Sequence, residues 1–388
     1  MKLRSIMFVS VVAFAACGKS KSTDEPAPKA SDPGATPAAG SAKAAPAEPT
    51  AEAAPPIGEP KGWFNCHAKD PAAVPAKRKP ANPWQLPFTF AGCPTVPAEI
   101  YGSAAFGMDG EAAAKAAKAK LEETSGYIYL GKSPFRYQFT FRVNEDTKKV
   151  DAFTFKVDAD AFEEMKAAWG EPLVYEHMSD KYWAWFNPDK HLKVTAHAET
   201  WNRANTKTKE DEDIPGYWVY YQEYVPLVEM LGKDGLVGKP VLGKTVAELA
   251  AAYPGWLEVK TAAENRATLD KVGLDDKTKK EVVAIGAADD SANLTLPQLE
   301  TNEFHTLVQP DYKAGKVLAY SFLLSFGKDQ ALKQELLAVV AAALGKPTST
   351  TKDDANWKYT FAGPNGTVVA ASMSTLAEDW SLEVSAKK

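Results

Sequence analysis

Residues 238–245 carry the sharpest chemical pattern in the chain: Gly238-Lys239-Pro240-Val241-Leu242-Gly243-Lys244-Thr245. The run matches the phosphate-binding loop GxxxxGK[ST]. There, loop N–H groups would cradle phosphate oxygens, Lys244 would reach the phosphates and Thr245 would hold Mg2+. Two features oppose that use. Residues 230–237 include Gly232, Lys233, Asp234 and Gly235, so no clean apolar strand leads into the loop. A second stretch, Gly102-Ser103-Ala104-Ala105-Phe106-Gly107, keeps both glycines but continues with Met108-Asp109 where Lys244-Thr245 stand. The glycines therefore read as features of the fold, and neither a nucleotide nor another cofactor is expected.

The chain has five histidines. His191 and His197 fall on one predicted strand and share a face. At about 3.3 Å per residue they are roughly 20 Å apart, too far to bind one metal. His197 and Glu199 are neighbours on that face and could be two ligands, but no third is visible and there is no HExxH or paired-cysteine spacing. A surface histidine is the plainer reading, and no metal is expected. Asp158, Asp160, Glu163 and Glu164 hint at a calcium loop but lack its third ligand position and its glycine. Asp160 as a helix N-cap with Glu163 three residues on accounts for the same letters. Residues 210–213, Glu-Asp-Glu-Asp, read as a solvated hairpin loop. No nucleophile elbow, no Cys–His pair with triad character and no specific carboxylate dyad is present. Carboxylates are plentiful, so a glycan hydrolase with acids in a cleft between two halves of the chain is the alternative to a non-enzymatic protein.

The elements that would position these groups repeat. Each glycine pair precedes an Ala-rich helix. Strand-like segments follow, 127–130 and 135–143 in the first half, 281–285 and 304–308 in the second. Residues 149–155, Lys-Val-Asp-Ala-Phe-Thr-Phe, echo 316–322, Lys-Val-Leu-Ala-Tyr-Ser-Phe. A second helix comes next, 160–169 ending at Gly170-Glu171-Pro172 and 329–344 ending at Gly345-Lys346-Pro347. Gly takes the left-handed angle at a helix end and Pro cannot continue the helix. Trp183 and Trp185 are echoed by Trp357 and Tyr359, and a closing strand carries Trp218 in one copy and Trp380 in the other. The second copy has insertions, chiefly residues 261–280. Each copy thus reads helix, two or three strands, helix, three strands. The expected fold is α+β: two tandem related modules, 98–232 and 233–388, each an antiparallel sheet with helices on one face. Phe162, Met165 and Trp169 form one helical stripe, and Leu332, Leu336, Val339 and Val340 another.

The copies differ on the face away from the helices. In copy two, Trp357, Tyr359 and Phe361 alternate with Lys358 and Thr360, so the aromatic set should face the helices. Carried to copy one, Trp183 and Trp185 face inward, and Tyr182, Ala184 and Phe186 face outward. Neighbouring strands would add Thr195 and His197, then Val219 and Tyr221. An aromatic, partly polar face of this kind suits a protein or glycan partner. Large apolar faces are usually covered, so packing against copy two or the N-terminal segment is the plainer expectation.

The first 17 residues, MKLRSIMFVSVVAFAAC, give an address. Lys2 and Arg4 precede an apolar run over 6–14, too short to span a bilayer, in the layout of a cleavable export signal. Closed by Phe14-Ala15-Ala16-Cys17, it resembles the lipobox of bacterial lipoproteins. The resemblance implies removal of residues 1–16, a diacylglyceryl group on the Cys17 thiol, and palmitate or another acyl chain on the new amine. Two or three chains anchor stably, since each buried CH2 contributes about 0.8 kcal/mol. Gly18 after Cys17 resembles outer-membrane sorting in enteric lipoproteins, which places the protein in the cell envelope, on the periplasmic face or the cell surface. An exported protein also lacks a steady nucleoside triphosphate supply.

Three cysteines are present. With Cys17 assigned to the lipid by the resemblance, Cys66 and Cys93 remain, and an oxidising compartment favours a disulfide between them. The alternative is two unrelated buried thiols. Residues 17–60 are an Ala/Pro-rich tether without aromatics, unable to offset the entropy of ordering. Residues 61–97 are a Pro-rich clamp carrying Trp63, Phe64, Trp84, Phe88 and Phe90. The formal net charge is −5, or −7 once Lys2 and Arg4 are lost. With no basic block, this argues against nucleic acid as a partner. The membrane, through lipid, and a protein or glycan are the expected partners of a binding or scaffolding lipoprotein.

Overall fold

The computed structural model describes residues 54–387, apart from 80–84, 120–122, 125–126, 131–137, 145–146, 178–179, 253–256, 261, 272–274, 285–290, 295–305, 314–315, 326–328, 354–355 and 375–378. The signal, Cys17 and most of the tether lie outside the described residues, as do Trp84 and part of the predicted strands at 135–143 and 304–308.

Helices and antiparallel sheets make the fold α+β. After the N-terminal segment come α1 (Ala98–Tyr101), α2 (Gly110–Ala116), β1 (Glu123–Thr124), β2 (Tyr127–Tyr129), β3 (Phe139–Val143) and β4 (Val150–Val157). Then follow α3 (Ala159–Trp169), β5 (Leu173–His177), β6 (Asp180–Asn187), β7 (Leu192–Ala204) and β8 (Asp211–Glu223). The remainder holds α4 (Leu227–Leu231), α5 (Val246–Ala252), β9 (Leu257–Lys260), α6 (Ala262–Lys271), α7 (Asp276–Ala284), β10 (Ser291–Leu294), β11 (Thr306–Lys313) and β12 (Lys316–Ser325). It closes with α8 (Gln330–Leu344), β13 (Ser349–Asp353), β14 (Asn356–Ala362), β15 (Thr367–Ser374) and β16 (Asp379–Ala386).

Among the described residues each sheet has eight strands. The first runs β5-β6-β7-β8-β4-β3-β2-β1, the second β13-β14-β15-β16-β12-β11-β10-β9, so the connectivity is the same in both. The local ties match too. Asp109 bridges Lys149 and Thr245 bridges Lys316. Gly107 donates to Val150 O and Gly243 to Val317 O, at 2.9 and 2.7 Å. Both glycines take positive φ, 73° and 77°, a region closed to most side chains. Each sheet has one more strand after its long helix than the sequence pattern indicates, because the short edge strands β5 and β13 carry no clear alternation. Residues 281–284 belong to α7, not to a strand; the Glu-Val-Val-Ala run continues the helix begun by Asp276.

Each long helix covers one sheet face. Asp158 caps α3 by accepting from Ala161 N, and Asp329 caps α8 by accepting from Ala331 N and Leu332 N. The α3 cap is thus two residues earlier than Asp160, which sits in the first turn. Phe162, Met165 and Trp169 bury against Trp185, Val219 and Tyr221. Leu332, Leu336 and Val340 bury with Trp357, Tyr359 and Phe361. Phe162 lies 3.7 Å from Tyr217, ring on ring.

The N-terminal segment joins both apolar clusters. Trp63 and Phe64 pack on the cluster of the second sheet, Phe88 and Phe90 on that of the first. Cys66 and Cys93 form a disulfide with Cα atoms 5.7 Å apart. Among the described residues no helix is long and apolar enough to cross a membrane.

Candidate functional site

The outer face of the first sheet gathers side chains whose chemistry differs from that at the matching positions of the second. Register sets the rows. Lys156 pairs with Trp218, Trp218 with His197, His197 with Tyr182 and Tyr182 with Tyr175, across β4, β8, β7, β6 and β5. The next row is Thr154, Tyr220, Thr195, Ala184 and Leu173. Because side chains on a strand alternate between faces, Trp218 and Tyr220 lie on this face and Val219 and Tyr221 do not. Those two are fully buried in the core beneath α3. Trp218 and Trp380 are not equivalent: Tyr217 holds the inward position taken by Trp380, and Trp218 points the other way.

The rest of the expected face divides in two. Phe186 is 1% exposed, 5.3 Å from Phe64 and 5.4 Å from Tyr224. With Ala184 and Leu173 it belongs to the cluster under the second sheet, so this end of the face is covered. Thr195 is buried as well. Tyr182, His197, Trp218 and Tyr220 stay half-buried.

The half-buried rings form a continuous ladder. Tyr175 stacks on Tyr182 at 5.4 Å, Tyr182 lies 5.5 Å from His197, His197 stacks on Tyr220 at 5.7 Å, and Tyr220 on Trp218 at 5.1 Å. Lys156 Nζ stands 4.8 Å over the Trp218 ring and 5.7 Å over Trp201, cation–π contacts that offset part of its desolvation. Burial still pulls the Lys156 ammonium below its ordinary pKa, against the attraction of Glu199. Burial, helped by Tyr127 and Glu199, pushes the Tyr220 phenol above its usual range, so it stays protonated and can donate as well as accept. His197 Nε2 is 3.5 Å from Glu199 Oε2. His197 Nδ1 is buried with no hydrogen-bond partner among the described residues.

The second sheet is polar at the matching positions. Counting from the shared strand starts Val150 and Val317, Tyr182, His197, Trp218 and Tyr220 correspond to Lys358, Ser372, Ser381 and Glu383. There Lys358 and Glu383 form an ion pair at 3.9 Å.

The other sequence candidates have structural duties. In residues 238–245 the N–H groups of Gly238, Lys239, Val241, Gly243 and Lys244 all donate to backbone carbonyls. Thr245 N donates to Glu248 Oε2 at 2.7 Å while Glu248 N donates back to Thr245 Oγ1, a capping box that opens α5. Lys244 Nζ lies 3.9 Å from Glu248. The donors a phosphate would need are directed at protein acceptors. His191 is not on a strand: it ends a short 3-10 turn with φ 48° and pairs with Glu229 at 2.9 Å. Asp211, Glu212 and Asp213 open β8 opposite Ala204, Arg203 and Asn202, so the acidic run lies in the strand rather than in the loop. A cavity of about 80 Å3 is lined by Asp158, Asp160 and Glu164 with Arg78, Gln85 and Gln138. It lies between the N-terminal segment and the first sheet, not between the sheets. Two of its acids already serve, Asp158 as cap and Glu164 in an ion pair with Arg78 at 3.2 Å. Among the described residues no three potential metal ligands converge.

No protein-family model, curated protein or solved structure matches the chain.

Proposed function

We propose that this chain is a lipid-anchored cell-envelope protein that acts by binding. Residues 98–232 and 233–388 are related modules, 17–60 the lipidated tether, and the half-buried outer face of the first sheet the partner site. The common strand order and the matching glycine ties support the duplication. Outer-membrane placement rests on the lipobox resemblance and Gly18.

One observation carries the binding reading. Two sheets with the same connectivity have diverged on one face, to Tyr, His, Trp and Tyr in the first where the second has Lys, Ser, Ser and Glu. Half-buried aromatic residues are costly to leave on a surface and are enriched where partners dock. Tyr175 stacks on Tyr182, and Tyr220 on both His197 and Trp218, so these rings turn edges and polar tips outward: a phenol, an imidazole and an indole N–H. That favours a protein partner, which can answer with apolar contacts and hydrogen bonds. A sugar would need an open ring face on which to lie.

The test is crosslinking capture from native cells with wild type, the double variant W218S/Y220S and the control S372A/S381A. Capture by the control and wild type alone supports the assignment, with a loss of about tenfold or more expected for a central aromatic pair. Equal capture by all three removes this face from the account.

A further inference from the structure

We propose that the Cys66–Cys93 disulfide is an oxidation-dependent latch, holding the first limb of the N-terminal segment on Glu335 and over Phe186.

The segment has two limbs of unequal grip. The second is sunk in the first sheet's core: Leu86 and Phe88 are 1% and 0% exposed, Phe90 lies 5.0 Å from Trp169, and Asn187 Nδ2 donates to Pro94 O at 2.9 Å. The first limb is only half-buried at Ile57, Trp63 and Phe64. Its hold is in part polar. Glu335, 3% exposed on α8, accepts from Lys61 N, Gly62 N and Trp63 N at 2.7, 2.9 and 3.2 Å. Tyr359 OH donates to Pro55 O at 3.1 Å. Cys66 follows this limb directly, and the sulfur bridge ties it to the well-anchored second limb. Cys66 is half-buried, so a reductant can reach it.

Opening the latch takes two electrons and two protons from a dithiol. The S–S bond breaks, two thiols form, and the dithiol closes to its own cyclic disulfide. The first limb is then held by half-buried apolar contacts and by hydrogen bonds that water can replace, against the entropic cost of ordering a free chain. Its departure uncovers Glu335 and the Phe186 end of the first sheet. A chain kept reduced would have an open strap, and oxidation after export would close it.

Hydrogen exchange on the full chain, oxidised and after dithiothreitol, tests this, with C66S/C93S as a reductant-free control. The amides of Lys61, Gly62 and Trp63 should exchange about tenfold faster or more when the bridge is absent, with β4 and β8 unchanged, a local opening. Unchanged exchange at 61–63 overturns the proposal. So does equal acceleration in β4 and β8, which would make the bridge a general stabiliser. Glu335→Ala in the oxidised protein should also speed exchange at 61–63; full protection there would overturn Glu335 as the anchor.

Discussion

Glu164 and Glu335 occupy the same position on α3 and α8, equally far past the capping residues Asp158 and Asp329, and each reaches the N-terminal segment. Glu164 meets the Arg78 guanidinium at 3.2 Å, while Glu335 gathers three backbone N–H groups. One acid per helix fastens one part of the strap.

The two acids should differ in worth. Glu335 is buried and accepts three backbone N–H bonds, all of which are lost in Glu335→Ala, so that substitution should cost about 2–4 kcal/mol. Glu164 has a side chain 42% exposed, and Glu164→Ala should cost less than about 1 kcal/mol. Urea midpoints compare them directly, and equal costs would contradict the difference in burial.

The glycine loop should behave as structure. A Cβ at Gly238 would stand 1.8 Å from Lys233 O, so Gly238→Ala must move backbone and should destabilise by about 2 kcal/mol or more. Thr245→Ala removes the capping box and should cost about 1 kcal/mol. Titration calorimetry with MgATP should give no binding heat; a saturable signal lost in Lys244→Ala would restore the nucleotide reading.

Stability should fall as pH rises past about 10. Burial raises the Tyr101, Tyr221 and Tyr220 phenols above their ordinary pKa, with Tyr221 adding to the shift at Tyr101. The folded state therefore keeps protons that the unfolded state releases. That stabilisation is complete below the unfolded tyrosine pKa and is lost as pH climbs through the folded values. Tyrosinate absorbance at alkaline pH should appear together with loss of near-UV circular dichroism. Full ionisation of a still-folded protein would contradict the burial.

The address is tested by intact mass of the native protein. The expected species begins at Cys17 and carries two or three acyl chains. A polypeptide retaining Met1, or a terminal cysteine without acyl mass, would contradict envelope anchoring and remove the exported setting of the latch.

Much of the fold was legible because its punctuation has local causes. Gly170 and Gly345 stop their helices at φ 84° and 87° in front of Glu171-Pro172 and Lys346-Pro347. The inward side of β14 shows in Trp357, Tyr359 and Phe361 against Lys358 and Thr360. The candidate face was half legible. Tyr182 and His197 are on it, but residues 217–221, Tyr-Trp-Val-Tyr-Tyr, are apolar or aromatic at every position. Alternation there has no sign, and only pairing with β7 and β4 reveals that Trp218 and Tyr220 point outward. Lys156 belongs to the face only through that pairing, which its own strand's letters do not show. Glu335 looks like any helix acid, and its buried role depends on a segment more than 270 residues away.

Site-specific photocrosslinking in living cells tests the binding account most directly. A benzophenone amino acid at position 218 should yield one discrete adduct, and the same probe at Ser381 none. No adduct at position 218, or the same adduct from both positions, would contradict the first sheet's outer face as the partner site.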